Sequence, residues 1–526
     1  MRRVLLCVSL AALMVAGCGE SGGGGSGQTV DVNAKQVSSE ELKTAVLDER
    51  VRRFYEARGW AAAWTGPLAE ELTAAFGDAE RHAIDSRPFL QGAKKAGSPA
   101  EREAALTLAA LNYAQALATG AVDPRKVFEV YEVPMHQVDV VAGLSQAVGR
   151  GGVRAWLAGL PPADAEYKAL SEAYLSYRQR AGAEQRQAIQ PGKKIEVGDR
   201  DPRVSMIAEA LRSNGYLPPA QPAQQQEKAA EGRKAKTTAA AAAPSDRYTA
   251  DMAKAVSRVQ ADYGIEADGI IGNSTLEALN TGAKDRARIL AVNLERRRWL
   301  QRNQPGTRID VNTAGAFLEY WRDGQRVDSR RVVVGQTEWE TPELGSPMVR
   351  LVANPPWTVP ESIAEEEILP KGAAYMARER ITTKNGRLVQ EPGPKSALGL
   401  VKFDLVNPHQ IYLHDTPAKA LFASTERHAS HGCARVENAI QFARLIASHD
   451  GTVEAFDKAL ATGKETPVEL KTKIPVRLLY HSAFWDGSRV VFRTDPYAWD
   501  DKLAAALGLG GAVRQRVQTH VHDIGP

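Results

Sequence analysis

The sequence is poor in cysteine: Cys7, Cys18 and Cys433 are the only three in 526 residues. That excludes the bridged scaffold of a small disulfide-rich domain. The amino-terminal apolar run from Val4 to Val15 is too short to cross a bilayer as a lasting helix. Charge of one sign is also scarce. A formal net charge of +4 is too small for a dedicated nucleic-acid binder and names no other partner. What is present suits a folded, multidomain chain, because a hydrophobic fraction of 43% is ordinary and the length suggests about three domains.

Arg2 and Arg3 ahead of the short apolar run read as a secretory signal. Val15-Ala16-Gly17-Cys18 closes that run and resembles a bacterial lipobox, which implies cleavage before Cys18 and its lipidation. A Gly/Ser tether follows from Gly19, as expected of a spacer holding a domain off a membrane. Gly19, where an Asp would signal retention, points to the outer membrane rather than the inner. With Cys7 removed and Cys18 acylated, Cys433 is left without a disulfide partner. An unpaired thiol in an exported protein is a liability unless it is buried or used.

From about Val30 to Gln190, Ala, Glu, Leu and Arg recur at helical spacing, with Phe54, Tyr55, Trp60 and Trp64 interspersed as expected core anchors. Val204, Ile207 and Leu211 form one helical stripe, and Met252, Val256, Val259 and Tyr263 form another. Between them, Pro218 to Asp246 is too poor in apolar residues to fold and reads as a disordered insertion. Ser274 and Glu277 offer a capping box for a third helix. The basic stretch Ile289 to Leu300, with Arg296, Arg297 and Arg298, is expected to be a solvated helix face. After Gly306 the pattern turns to strands: Ala314 to Trp321, an Asp323-Gly324 turn and Val327 to Val334 predict a hairpin, with later strands at Arg350 to Asn354, Ile411 to His414 and Pro475 to Tyr480. Glu361 to Val389 is more polar and helical, an insertion expected to cap a site, with Glu365, Glu366 and Glu367 on a wet surface.

Chemistry concentrates in Tyr412-Leu413-His414-Asp415-Thr416 and Ser430-His431-Gly432-Cys433-Ala434-Arg435-Val436. A thiol becomes a strong nucleophile on losing its proton, and an imidazole can take that proton. Three histidines lie within twenty residues of the thiol: His414, His428 and His431. His414 ends a strand, a rigid platform from which its ring can reach a separate turn, whereas His431 is expected to shape the turn itself. Asp415 follows His414 directly, so its side chain points to the other face of the strand. A backbone carbonyl is the expected orienter of the ring. Gly432 admits backbone angles and close approaches that other residues resist. Backbone N–H groups near Cys433 are candidates for an oxyanion hole, and Arg435 for favouring the thiolate.

His414 followed after 433 − 414 = 19 positions by the cysteine of Ser-His-Gly-Cys-x-Arg resembles the L,D-transpeptidase catalytic domain of the YkuD type. Asn354-Pro355-Pro356-Trp357-Thr358-Val359-Pro360, Pro392 to Gly399 and Lys402-Phe403 are similar to the large multidomain branch. Leu211 to Leu217 with Ala267 to Gly272 resembles the three-helix peptidoglycan-binding module. The class this implies is multidomain α+β, with a helical scaffold domain, that module, and a mostly antiparallel β catalytic domain carrying a capping insertion. The expected divisions are a signal (1–18), a tether (19–29), a scaffold (30–195), a module (196–282) interrupted at 218–246, a basic linker helix (283–305), a catalytic domain (306–480) with its insertion at about 361–389, and a closing hairpin and helix (481–526).

Carried over by motif, Cys433 matches the nucleophile, His414 the proton acceptor and donor, and Ser430, His431, Gly432 and Arg435 the surrounding signature. No cofactor, metal or nucleic acid is implied. The implied partners are peptidoglycan tetrapeptide stems as donor and acceptor, with a membrane reached through the lipid on Cys18, in the periplasm of a Gram-negative bacterium. Reaction with carbapenems and formation of 3→3 cross-links are implied as well. The same thioester could instead pass to water, a D-amino acid or a protein lysine. Two rivals of other classes stand beside this: a metal site built from His414, His428, His431 and Cys433, and a non-catalytic wall-binding lipoprotein.

Overall fold

A computed structural model describes residues 37–64, 66–182, 187–219 and 246–510. The signal, Cys18, the tether and positions 220–245 of the expected insertion lie outside the described residues. Among the described residues no helix is long and apolar enough to cross a membrane.

The amino-terminal half is helical, and its helices start where the sequence supplies caps. Ser38 with Glu41 forms a capping box ahead of α1 (Ser39–Ala45), and Ser98 with Glu101 forms one ahead of α2 (Pro99–Thr119), answering N–H groups that the first turn leaves unpaired. Phe54, Tyr55 and Trp64 are fully buried, so these aromatics are core. Helix α3 (Ala165–Ala181) closes this part.

The module follows as α4 (Val204–Ser213), α5 (Ala250–Asp262) and α6 (Asn273–Asn280), whose stripes, Val204, Ile207 and Leu211 against Val256, Val259, Leu276 and Leu279, share one core. The capping box predicted at Ser274 does not form. Gly272 is the N-cap and no side chain caps this helix, because Ser274 falls inside the first turn.

Helix α7 (Ala283–Trp299) overturns the expectation of a solvated basic face. Arg286, Arg296 and Arg298 are each 1% exposed. Arg296 pairs with Asp500 at 2.5 Å, Arg297 with Glu166 at 2.8 Å and Arg288 with Asp501 at 2.7 Å. The Arg286 guanidinium lies 5.1 to 5.7 Å from the rings of Tyr177, Tyr216, Tyr263 and Phe492. Buried guanidinium groups are tolerable only when paired or stacked in this way. The helix is therefore an axle against which scaffold, module and carboxy-terminal segments all pack.

Beyond it lies one large sheet, built from β1 (Arg308–Asn312), β2 (Phe317–Arg322), β3 (Gln325–Gly335), β4 (Glu343–Ala353), β5 (Val401–Leu405), β6 (Leu413–His414), β7 (His428–Ser430), β8 (Ala434–Val436) and β9 (Thr466–Leu479). The ladder runs β4-β9-β1-β2-β3-β8-β6-β5, and β5 pairs back with β4, so the sheet closes on itself. Closure leaves no free edge along this ring. Only β9 with β1 and β8 with β6 run parallel around it. The Asp323-Gly324 hairpin forms as expected, with its first strand starting at Phe317 rather than at Ala314. Inside lie Ile309, Val311, Leu318, Leu351, Phe403, Leu413 and Ala434, covered by α8 (Ala439–Asp450).

The capping insertion is larger than its predicted bounds. Trp357–Thr358 pairs with Arg387–Gln390, which pairs with Ile381–Lys384, and Ala397 and Leu398 join Trp357, Ile363 and Ile368 in its core. Those flanking residues belong to it because the small sheet needs them to bury its apolar face.

Candidate active site

Strand register assembles the site. β6 runs parallel to β8 with Leu413 opposite Ala434 and His414 opposite Arg435. Alternation sends Leu413 and Ala434 into the barrel core and turns His414 and Arg435 to the other face. One step back, the Ala434 N–H donates to the Tyr412 carbonyl at 3.2 Å, which brings Tyr412 beside Cys433. The Tyr412 side chain hydrogen-bonds the thiol, and its ring lies 5.7 Å from that of His414. Tyr412 thus neighbours both the thiol and the His414 ring.

His414 is completely buried and Cys433 is 5% exposed. The His414 Nδ1 meets the Asp415 carbonyl oxygen at 2.5 Å. Since a carbonyl only accepts, Nδ1 carries the proton and the basic lone pair falls on Nε2. The Asp415 side chain is turned away: it accepts from the Leu400 N–H at 3.0 Å and pairs with Lys419. The expected orienter, a backbone carbonyl in place of the adjacent carboxylate, is the arrangement found.

The turn before β8 is held from several sides. Ser430 Oγ donates to the Cys433 carbonyl at 2.6 Å and accepts from the Gly432 N–H at 3.3 Å. Thr341 Oγ1 donates to the Gly432 carbonyl at 2.8 Å. Gly432 has φ +106°, a conformation that L side chains rarely adopt, while a Cβ there would make only ordinary contacts; backbone angle, rather than crowding by the protein, calls for glycine. None of these three bonds, nor the Ala434 bond, uses the Cys433 N–H.

Burial pushes the Cys433 thiol up to about 11. Hydrogen bonds from Tyr412 and the positive charges of Lys402 and Arg435 pull the other way without offsetting it. Lys402 stands opposite His414 across the β5–β6 ladder, and its Nζ lies 4.7 Å from the centre of the Tyr412 ring. Burial also raises the Tyr412 hydroxyl, helped by the adjoining thiol. Burial thus favours the neutral thiol at Cys433.

His431 reaches away from the thiol. Its Nε2 meets Glu367 Oε1 at 2.6 Å, and its ring packs on Trp339 at 5.2 Å. The wet-surface expectation therefore fails for Glu367, which ties the capping insertion to the turn that carries Cys433, while Glu365 and Glu366 are exposed. His428 points elsewhere, its Nε2 2.9 Å from the Thr313 carbonyl. Among the described residues no group of three or more His, Cys, Asp or Glu side chains is placed to hold a metal. Sequence reasoning gave no role to Tyr412, Lys402, Glu367 or Trp339. The period of two along Tyr412-Leu413-His414 could have revealed Tyr412; the other three come from distant segments.

Fold and site together define a closed β domain with a buried thiol and imidazole beneath a cap, joined to a helical scaffold. Family comparison agrees: residues 306–476 match the L,D-transpeptidase catalytic domain, 49–173 the scaffold domain, and 200–279 the family described as "Putative peptidoglycan binding domain". The chain therefore carries an L,D-transpeptidase catalytic domain together with matches to the scaffold and peptidoglycan-binding families. A Haemophilus influenzae protein named "Putative L,D-transpeptidase" is 32% identical over 241 residues, covering 41% of this chain and 49% of that protein. The chain thus spans about half the length of the curated relative it matches. Solved structures with slighter likeness include the ertapenem-acylated catalytic domain of the Enterococcus faecium L,D-transpeptidase (12% identity, 34% of this chain and 99% of that one, TM-score 0.19). Another is the Xylanimonas cellulosilytica L,D-transpeptidase (14%, 55% and 98%, TM-score 0.18).

Proposed function

We propose that this protein is a peptidoglycan L,D-transpeptidase that forms 3→3 cross-links through a thioester on Cys433. The carrying observation is a buried thiol hydrogen-bonded by Tyr412, whose ring adjoins an imidazole with its Nδ1 committed to the Asp415 carbonyl. In the first step His414 Nε2 takes the thiol proton as sulfur bonds to the carbonyl carbon of the third stem residue. The Cys433 N–H supports the oxyanion. The amide bond to the terminal D-alanine breaks, its nitrogen receives the proton from His414, and a thioester remains. In the second step the side-chain amine of another stem attacks, His414 takes its proton, the C–S bond breaks and the thiol regains that proton. The burial of His414 and Cys433 supports transfer to an amine by keeping bulk water from the thioester.

The protein acts, on this reading, in the periplasm, anchored through lipid on Cys18. Intact mass spectrometry after a carbapenem is added should show one adduct in the wild type and none in Cys433→Ala. Labelling that survives this substitution overturns the assignment. Analysis of muropeptides incubated with the enzyme identifies the acceptor, and Cys18→Ala should release the protein from membranes.

A further inference from the structure

The largest cleft recorded among the described residues is remote from Cys433. It has a volume of about 960 Å³ and lies between scaffold residues 159–166, the end of α7, strands β1 and β2, and the Phe484–Gly487 hairpin. Its arginines and carboxylates are equal in number and mostly paired with one another: Arg297 with Asp164 and Glu166, Arg308 and Arg477 with Asp310, Arg326 with Glu319. Such a wall has no net charge with which to select an anion or a cation, yet it presents many planar hydrogen-bonding groups. Aromatic surface runs through it. Trp485 is 36% exposed, Phe317 and Phe484 pack together at 5.1 Å, and the Trp321 indole N–H is buried with no hydrogen-bond partner. The same aromatic ridge borders a second cleft of about 320 Å³ that reaches Tyr263 and Gly264 of the module.

We infer that these two clefts form one groove that binds the glycan strand of peptidoglycan, with Trp485 as its stacking platform. The inference rests on the proposed function, which makes peptidoglycan the substrate, and adds a site outside both the thiol centre and the module's own core. Sugar rings offer flat C–H faces to aromatic rings and hydroxyl and amide groups to planar polar side chains, without net charge. Continuity with the matched peptidoglycan-binding domain favours the strand over a free peptide. A strand held here would fix the register in which stems hang toward the cap.

The test uses the full chain with two probes, N-acetylglucosamine hexamer and glycan strands stripped of their stems, read by tryptophan fluorescence and co-sedimentation. Trp485→Ala should weaken strand binding by about fivefold, the loss expected for one aromatic contact. Trp321→Phe, which keeps the ring and removes the N–H, should weaken it severalfold. Both variants should form the carbapenem adduct at Cys433 at the wild-type rate. Equal strand affinity in wild type and Trp485→Ala overturns the inference, as does failure of strands to bind the full chain, or their displacement by sugar-free stem peptides. Loss of the adduct in the wild type would sink the proposed function instead, so the two failures are distinguishable.

Discussion

The resting protonation state of Cys433 can be read kinetically. Burial places its thiol at about 11, against an ordinary value of 9.0. At pH 7.5 that leaves roughly 3 in 10,000 molecules as thiolate, about a hundredfold fewer than for an unperturbed thiol. A more basic thiolate is intrinsically more nucleophilic, and with a Brønsted slope of about 0.4–0.5 the two-unit rise returns six- to tenfold. Iodoacetamide, which receives no help from proton transfer, should therefore alkylate Cys433 about tenfold or more slowly than an exposed cysteine, burial adding to the delay. The rate should climb about tenfold per pH unit from 7 to 10. A carbapenem, which accepts a proton on its departing nitrogen, should show a much flatter profile, because His414 moves the proton during attack. The assay is intact mass against time at a series of pH values for both reagents. If alkylation levels off below pH 8, the resting state is a thiolate–imidazolium pair, and the account of burial given above is wrong.

His414→Gln should retain the fold and lower carbapenem acylation by about 10²- to 10⁴-fold, the usual contribution of a positioned base; acylation at full rate would shift the role to another group. Glu367→Ala removes the 2.6 Å bond between the cap and His431, worth about 1–2 kcal/mol, so hydrogen exchange across residues 361–389 should accelerate and acylation should slow by about tenfold. Unchanged exchange there would mean that other contacts hold the cap. Glu343, wholly buried, is raised from 4.5 to about 7 by desolvation. The folded state therefore keeps a proton that the unfolded chain has already released. The contribution of Glu343 to stability should be full below pH 4.5, decline as pH rises toward 7 and stay lost beyond. Glu343→Gln should flatten that decline, gaining up to roughly 3 kcal/mol at pH 8 in denaturant melts; parallel pH profiles would refute it.

Much of this was legible because it is local. Ser430 to Arg435 carries its own turn geometry, and His414 sits at the end of a run whose strand character follows from its composition, so the chemistry could be read from two short segments. The choice of a carbonyl over the Asp415 carboxylate followed from strand alternation alone. Long-range pairing was not legible. Charge density in Arg296-Arg297-Arg298 looks the same whether a helix faces water or a carboxylate 200 residues away, and only folding brings Asp500 and Asp501 back onto α7. Glu367 was misjudged for the same reason: three consecutive glutamates give no hint that one of them meets an imidazole 64 positions later. The Ser274 box failed by a shift of two residues in the helix start, the least predictable feature of any helix.

These distant pairings link the axle helix to the turn that carries Cys433. Arg296 holds Asp500 at 2.5 Å in α9 (Trp499–Ala506). The neighbouring Trp499 donates from Nε1 to Glu340 Oε2 at 3.0 Å. Glu340 belongs to the loop that sets Trp339 against His431, and His431 meets Glu367 of the cap. Contacts from α7, α9 and the cap thus converge on the turn that carries Cys433. On the proposed mechanism the thiol needs its cap in place before it reacts, and the converging contacts hold the cap to that turn. The register that pairs His414 with Arg435 lies within the barrel, whereas the support behind Trp339 comes from outside it, because Arg296 belongs to α7 and Asp500 and Trp499 belong to α9.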